Sequence, residues 1–149
     1  HAVPTVFDTY ALTNAGIDFE EGLPLTIRCE GIALRSALNL LLEPRGLDYV
    51  VESGVLKITS REQASRRLMT RAYSVRPLVS ESVSTRQLAE VVAAGIGPEA
   101  WTPGGGEGTL AELPDCLIVR QSYRRHQEIR ELLATLQTHA AEEHSPESP

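Results

Sequence analysis

Apolar residues along this chain fall into short stretches with two different periods. Between Ile32 and Ser60, Leu34, Ala37, Leu38, Leu41 and Leu42 recur at the i, i+3, i+4, i+7, i+8 spacing of one helical face. Pro44 cannot continue that helix, and Gly46 supplies the turn out of it. Leu47, Tyr49 and Val51 then alternate with Asp48 and Val50 as a strand, Glu52 to Gly54 reverses the chain, and Val55 to Thr59 returns as a second strand. A helix lying across the hairpin that follows it is the expected nucleus of the first half, each buried leucine contributing roughly 1.5 to 3 kcal/mol.

The same periods place a strand at Val3 to Phe7, with Pro4 favouring an edge position, and a single helical turn at Leu12 to Gly16. Leu23 to Cys29 reads as a strand with Leu25, Ile27 and Cys29 on one face. Ser60 with Gln63 predicts a capped helix through Leu68, followed by a strand from Ala72 to Val79. Ser84 with Gln87 repeats the capping signature and opens a helix with Leu88, Val91, Val92 and Ile96 on its stripe, stopping between Gly95 and Pro98. Trp101 to Gly108 carries four glycines and a proline in eight positions and reads as a flexible loop. A hairpin turns about Pro114 and Asp115, joining Thr109 to Leu113 with Cys116 to Gln121. The last helix runs from Tyr123 to Gln137 with Ile129, Leu132, Leu133 and Leu136 buried, and residues 139–149, rich in Ser, Pro and Glu, are expected to be a disordered tail.

These elements describe an α+β protein of two small helix-over-antiparallel-sheet units, residues 1–69 and 70–138. A chain of 149 residues can bury enough surface for one ordinary core or two small ones. Its 42 % hydrophobic and 23 % charged content is that of an ordinary folded domain.

Charge narrows the partners. The net charge is −6, with 14 Lys+Arg against 20 Asp+Glu, which opposes nucleic acid as the main ligand. Residues 61–80 run against this trend: five arginines face one glutamate there, a local +4. A solvated helix face and a linker account for such a cluster, with docking of an acidic partner as the alternative. If a contact surface is to be named, it is Arg66, Arg67 and Arg71 with the strand around Tyr73. Cys29 and Cys116 share no CxxC context and form no metal motif; they are expected as small buried hydrophobes, with a disulfide as the alternative. No stretch reaches the roughly 18 apolar residues of a membrane-spanning helix.

Candidate chemistry is sparse. Ser122 and His126 lie four apart at the start of the last helix, the spacing of a nucleophile and its base, although a cap and an exposed helical histidine explain them as well. His139 and His144 show no metal spacing. The glycine run lacks GK[ST], leads into a strand and carries Glu107 where an anion would sit, so it is not a phosphate loop. Gly105 to Gly108 also spells the GxxG of RNA-binding loops, without the basic flanks that RNA requires. Trp101, the lone tryptophan, fits a core anchor better than a ligand platform.

The segment PLTIRCEGIALRSALNLLLEPRGLDYVVESGVLKITS resembles the secretin and TonB short N-terminal domain, in which a strand, an ALxxLL helix, GLxY and a closing VLxIT strand recur in this order. Ala33 stands where such domains often carry a capping Ser or Thr. The second half, from RAYSVRPLV to HQEIRELLATL, resembles the ring-building units that follow in secretins, and the combined layout is similar to envelope-associated proteins of planctomycete bacteria. The resemblance implies a non-enzymatic interaction or assembly module of the bacterial cell envelope or periplasm, with protein partners or self-association, no cofactor and no metal. The alternative is a small-ligand or nucleic-acid binding domain using Trp101 and the Gly104 to Gly108 loop.

Overall fold

The computed structural model describes residues 3–18 and 26–143, which fall into two units meeting in sequence between Arg66 and Arg67. The boundary lies three residues before the one expected. The cause is Leu68, which begins a strand and does not end a helix.

In the first unit, β1 (Thr5–Phe7), β2 (Leu47–Glu52) and β3 (Val55–Ser60) form a sheet in the order β1-β3-β2. β2 and β3 are the expected antiparallel hairpin, closed by Ser53 and Gly54 at φ 50° and 77°. Two consecutive left-handed residues give the turn whose twist matches that of the flanking strands. β1 pairs with β3 in parallel, so this sheet is mixed instead of antiparallel throughout. Residues 26–29, expected to end a strand, have no regular structure, and residues 23–25 of that strand lie outside the described residues.

The helices are α1 (Thr9–Asn14), α2 (Leu34–Leu42) and α3 (Arg61–Arg66). α2 has no side-chain cap at Ala33, and a short 3-10 turn containing Pro44 ends it before Gly46 at φ 67°. Its apolar face is covered by degrees. Leu42 is buried, Ala37, Leu38 and Leu41 are half-buried, and Leu34 is 59 % exposed. The helix meets β2 and buries Leu42 in its last turn, so the expected burial of the whole stripe is corrected to burial of its C-terminal end.

A second correction concerns β2, where Leu47, Asp48, Tyr49 and Val50 are all buried and Val51 is exposed. α2 and α3 both meet β2, and its Asp48 and Val50 share their face with Thr59 and Lys57 of β3, beside which α1 begins. Asp8 caps it by accepting from the Ala11 amide at 3.1 Å, and its other carboxylate oxygen accepts from Thr59 Oγ1 at 3.3 Å and lies 3.1 Å from Lys57 Nζ. α1 is thereby fixed against β3, beside Lys57 and Thr59.

In the second unit, β4 (Leu68–Ser74), β5 (Thr109–Leu113) and β6 (Cys116–Ser122) form an antiparallel sheet in the order β4-β6-β5. α4 (Thr85–Ile96) carries the expected capping box of Ser84 and Gln87. α5 runs from Tyr123 to Glu143, so residues 139–143, assigned above to a tail, are helical, and 144–149 lie outside the described residues. Pro77 sits in a 3-10 turn after β4 instead of inside a strand. Leu88, Val92 and Ile96 of α4 and Ile129 and Leu133 of α5 pack with Leu117 and Val119 of β6 into one core, whereas Val91 is 44 % exposed.

Asp8 is the polar hinge of the first unit, and its pKa is lowered mainly by the Ala11 amide that it accepts. Its contribution is therefore present above the ordinary carboxyl value of 3.8 and is lost as pH falls through the folded value. Asp8→Ala is expected to destabilise this unit by about 1 to 2 kcal/mol, whereas Asp8→Asn, which keeps the cap, costs about 1 kcal/mol or less. Faster amide exchange along β3 is the readout.

Candidate binding surface

The register of the second sheet sorts its side chains into two sets. Tyr73, Leu117 and Glu112 fall on one face with Arg71, Val119 and Leu110, the face that the helices cover. Thr70, Ala72, Ile118, Ala111 and Leu113 fall on the other, where each is exposed or half-buried.

On the covered face lies a buried polar link. His126 of α5 is fully buried, its Nε2 lying 2.7 Å from the Met69 carbonyl and its Nδ1 2.7 Å from the Tyr73 hydroxyl. A carbonyl only accepts, so Nε2 carries the proton, and Nδ1 accepts from the Tyr73 hydroxyl. Burial pushes the imidazole pKa down and the Tyr73 phenol up, which keeps both neutral. The expectation of an exposed helical histidine is thus corrected. Ser122 does cap α5, accepting from the Arg125 amide at 3.4 Å. The serine–histidine pairing that a hydrolase needs is not formed, because both imidazole nitrogens are engaged elsewhere.

The glycine run is a packed knot and not a flexible loop. Trp101 is 5 % exposed, bridges to Gly108, and donates from Nε1 to the Ala93 carbonyl at 3.1 Å. The Thr102 amide donates to the Gly108 carbonyl at 2.9 Å, and Gln121 Nε2 donates to the Ala100 carbonyl at 2.7 Å. A Cβ on Gly104 would collide with the Pro98 carbonyl, on Gly106 with the Ala100 backbone, and on Gly108 with the Gln121 side chain. Only glycine lets these backbones approach so closely. The tryptophan ring is consequently a core anchor, with its one polar atom already bonded.

The arginines named from sequence are divided between the two units. Arg66 belongs to α3 of the first unit and lies 2.7 Å from Glu62. Arg67 opens the second unit and is exposed. Arg71 places its guanidinium 5.8 Å from the Tyr123 ring centroid, and Tyr73 points its hydroxyl at His126. β4 does form one edge of its sheet, as a docking strand would. Both cysteines are free thiols, Cys29 exposed and Cys116 half-buried on β6, which corrects the expectation of two buried hydrophobes.

A groove of about 1000 Å³, which no residue pattern announced, lies between α4, β5 and the glycine knot. Ala89, Ala93, Trp101 and Leu110 line its apolar interior, and Arg86, Glu90 and Glu112 stand around it. Among the described residues no group of His, Cys, Asp and Glu could hold a metal ion, and no helix is long and apolar enough to cross a membrane.

No family model matches the chain, and no curated protein matches it in sequence. Among solved structures, a single-particle cryoEM structure of the Vibrio cholerae type IV competence pilus secretin PilQ is similar over 76 % of this chain, at 20 % identity and a TM-score of 0.34. The chain spans 30 % of that one. A likeness this slight carries no functional argument.

Two outcomes test the polar link and the knot. Tyr73→Phe leaves the imidazole acceptor unpaired and is expected to destabilise the second unit by about 1 to 3 kcal/mol. Because the folded imidazole pKa lies below its ordinary 6.5, stability is full above that value and falls as pH drops below it, where only the unfolded chain takes up the proton. Urea unfolding followed by Trp101 fluorescence at about pH 7.5 and about pH 5.5 reads both effects. The same assay on Gly106→Ala is expected to show a loss of about 1 to 3 kcal/mol, the range for forcing a methyl into packed backbone.

Proposed function

We propose that this chain is a non-enzymatic docking or assembly module of the bacterial cell envelope, working through exposed sheet edges and the open sheet face of the second unit. The observation that carries this reading is that face: Ala72, Ile118, Ala111 and Leu113 lie together on one side of a three-stranded sheet and are exposed or half-buried. An uncovered sheet face with apolar content is what a partner protein covers. Support for the compartment comes from the resemblance of PLTIRCEGIALRSALNLLLEPRGLDYVVESGVLKITS to the short N-terminal domain of secretins and TonB-dependent receptors. Three polar side chains with reactive or ligating atoms hold the fold together: Ser122 caps, His126 links α5 to β4, and Gln121 ties down the glycine knot.

Light scattering over a concentration series of the full chain tests the assembly half of the proposal. A mass that rises above that of one chain is expected. A strict monomer at the highest soluble concentration removes self-association.

A further inference from the structure

The groove beside β5 lies along an unpaired sheet edge. β5 is at the end of its sheet, and its hairpin partner β6 occupies one side only. Leu113 and Cys116 flank the two-residue turn at Pro114 and Asp115, so they form the hydrogen-bonded pair that closes the hairpin. Alternation then makes Ala111 and Thr109 the residues bonded to β6. It leaves the N–H and C=O of Leu110 and Glu112 pointing away from β6, toward the free edge. Neither residue makes another backbone hydrogen bond among the described residues.

Three features of this edge coincide. Its free donors and acceptors recur every second residue, at the spacing of an extended chain. The side chains of Leu110 and Glu112 lie on the helix side of the sheet, where the apolar groove begins. Charge at the groove is unbalanced: Arg86 and Glu90 pair with each other at 3.6 Å, while Glu112 makes no ion pair or hydrogen bond among the described residues.

We propose that the groove between α4 and β5 seats an extended segment of another protein, added as a fourth strand along Leu110 to Glu112, with an apolar side chain against Leu110 and a basic one against Glu112. Strand addition satisfies the exposed backbone groups, while side chains filling the groove select the partner. Charge argues against a second copy of this chain in the same place. Antiparallel pairing of two β5 strands about Ala111 would bring a second Glu112 to the same edge, where Arg86 is already paired with Glu90 in each copy and no unpaired base meets either acid. The inference deepens the docking reading and rests on it, but the two fail separately.

The probe is a peptide of two Thr-Lys-Thr-Val repeats, which places lysine and valine on the same side in alternation in either strand direction. With the full chain at saturating peptide, the amides of Leu110 and Glu112 are expected to exchange about tenfold more slowly, as a gained backbone hydrogen bond requires. Glutamate in place of the lysines is expected to weaken binding about fivefold or more, and Glu112→Lys is expected to reverse that preference. A peptide N-methylated at every residue, which has no amide proton to give the edge in either strand direction, is expected to leave both amides unprotected. Unchanged exchange with the parent peptide overturns the inference, as does equal binding of the N-methylated or the glutamate peptide. Protection of the same amides at high chain concentration without peptide would assign the edge to a second copy and overturn it too. Self-association by light scattering together with unprotected amides would sink the groove and spare the docking reading. A monomer whose amides the peptide protects keeps the groove and loses self-association.

Discussion

A three-stranded sheet has one inner strand and two edges, and a single layer of helices covers one of its faces. Every exposed feature of the second unit follows from that constraint. β6 is the inner strand, and its Leu117 and Val119 are wholly buried. β4 and β5 can each be satisfied on one side only, so their outer backbone groups and the far side of the sheet are left to solvent or to a partner. The first unit meets the same constraint differently. There β3 is the inner strand, α1 is fixed against it by Asp8, and β2 is buried on both faces along Leu47 to Val50.

The two edges of the second sheet are not equivalent. β4 is held from the helix side by His126, which takes the Met69 carbonyl on one ring nitrogen and the Tyr73 hydroxyl on the other. A buried imidazole in this role fixes strand and helix in one register, because a slip of one residue would leave at least two polar atoms unpaired. β5 has no such link. Its flank is the small-residue side of α4, and the space left there is the groove.

Much of this was legible in the residues. Capping of α4 by Ser84 and Gln87, the hairpins about Gly54 and about Pro114, and the uncapped start of α2 at Ala33 all follow from local rules, and local rules act within a few residues. What depended on distant neighbours was less visible. Val50 is buried on the face that it shares with Lys57 and Thr59, where Asp8 reaches across some forty residues, although the unbroken apolar ending of LDYVV was a sign of a strand covered on both sides. His126 stands three and seven residues before Ile129 and Leu133, on the buried stripe of α5, so its burial had a periodic signal that its polar chemistry masked. The groove had none. It is a space between elements, and spacing along one element does not encode it.

Surface loops ordinarily absorb substitutions and changes in length with little effect. In the surface connection from Pro98 to Gly108, three positions have the tolerances of a core, because Gly104, Gly106 and Gly108 each lie against atoms that leave no room for a methyl group. Drift during evolution at those three positions would meet the same resistance as a change to Leu117. The stretch of the second unit whose composition most suggests freedom thus holds positions among those least able to change.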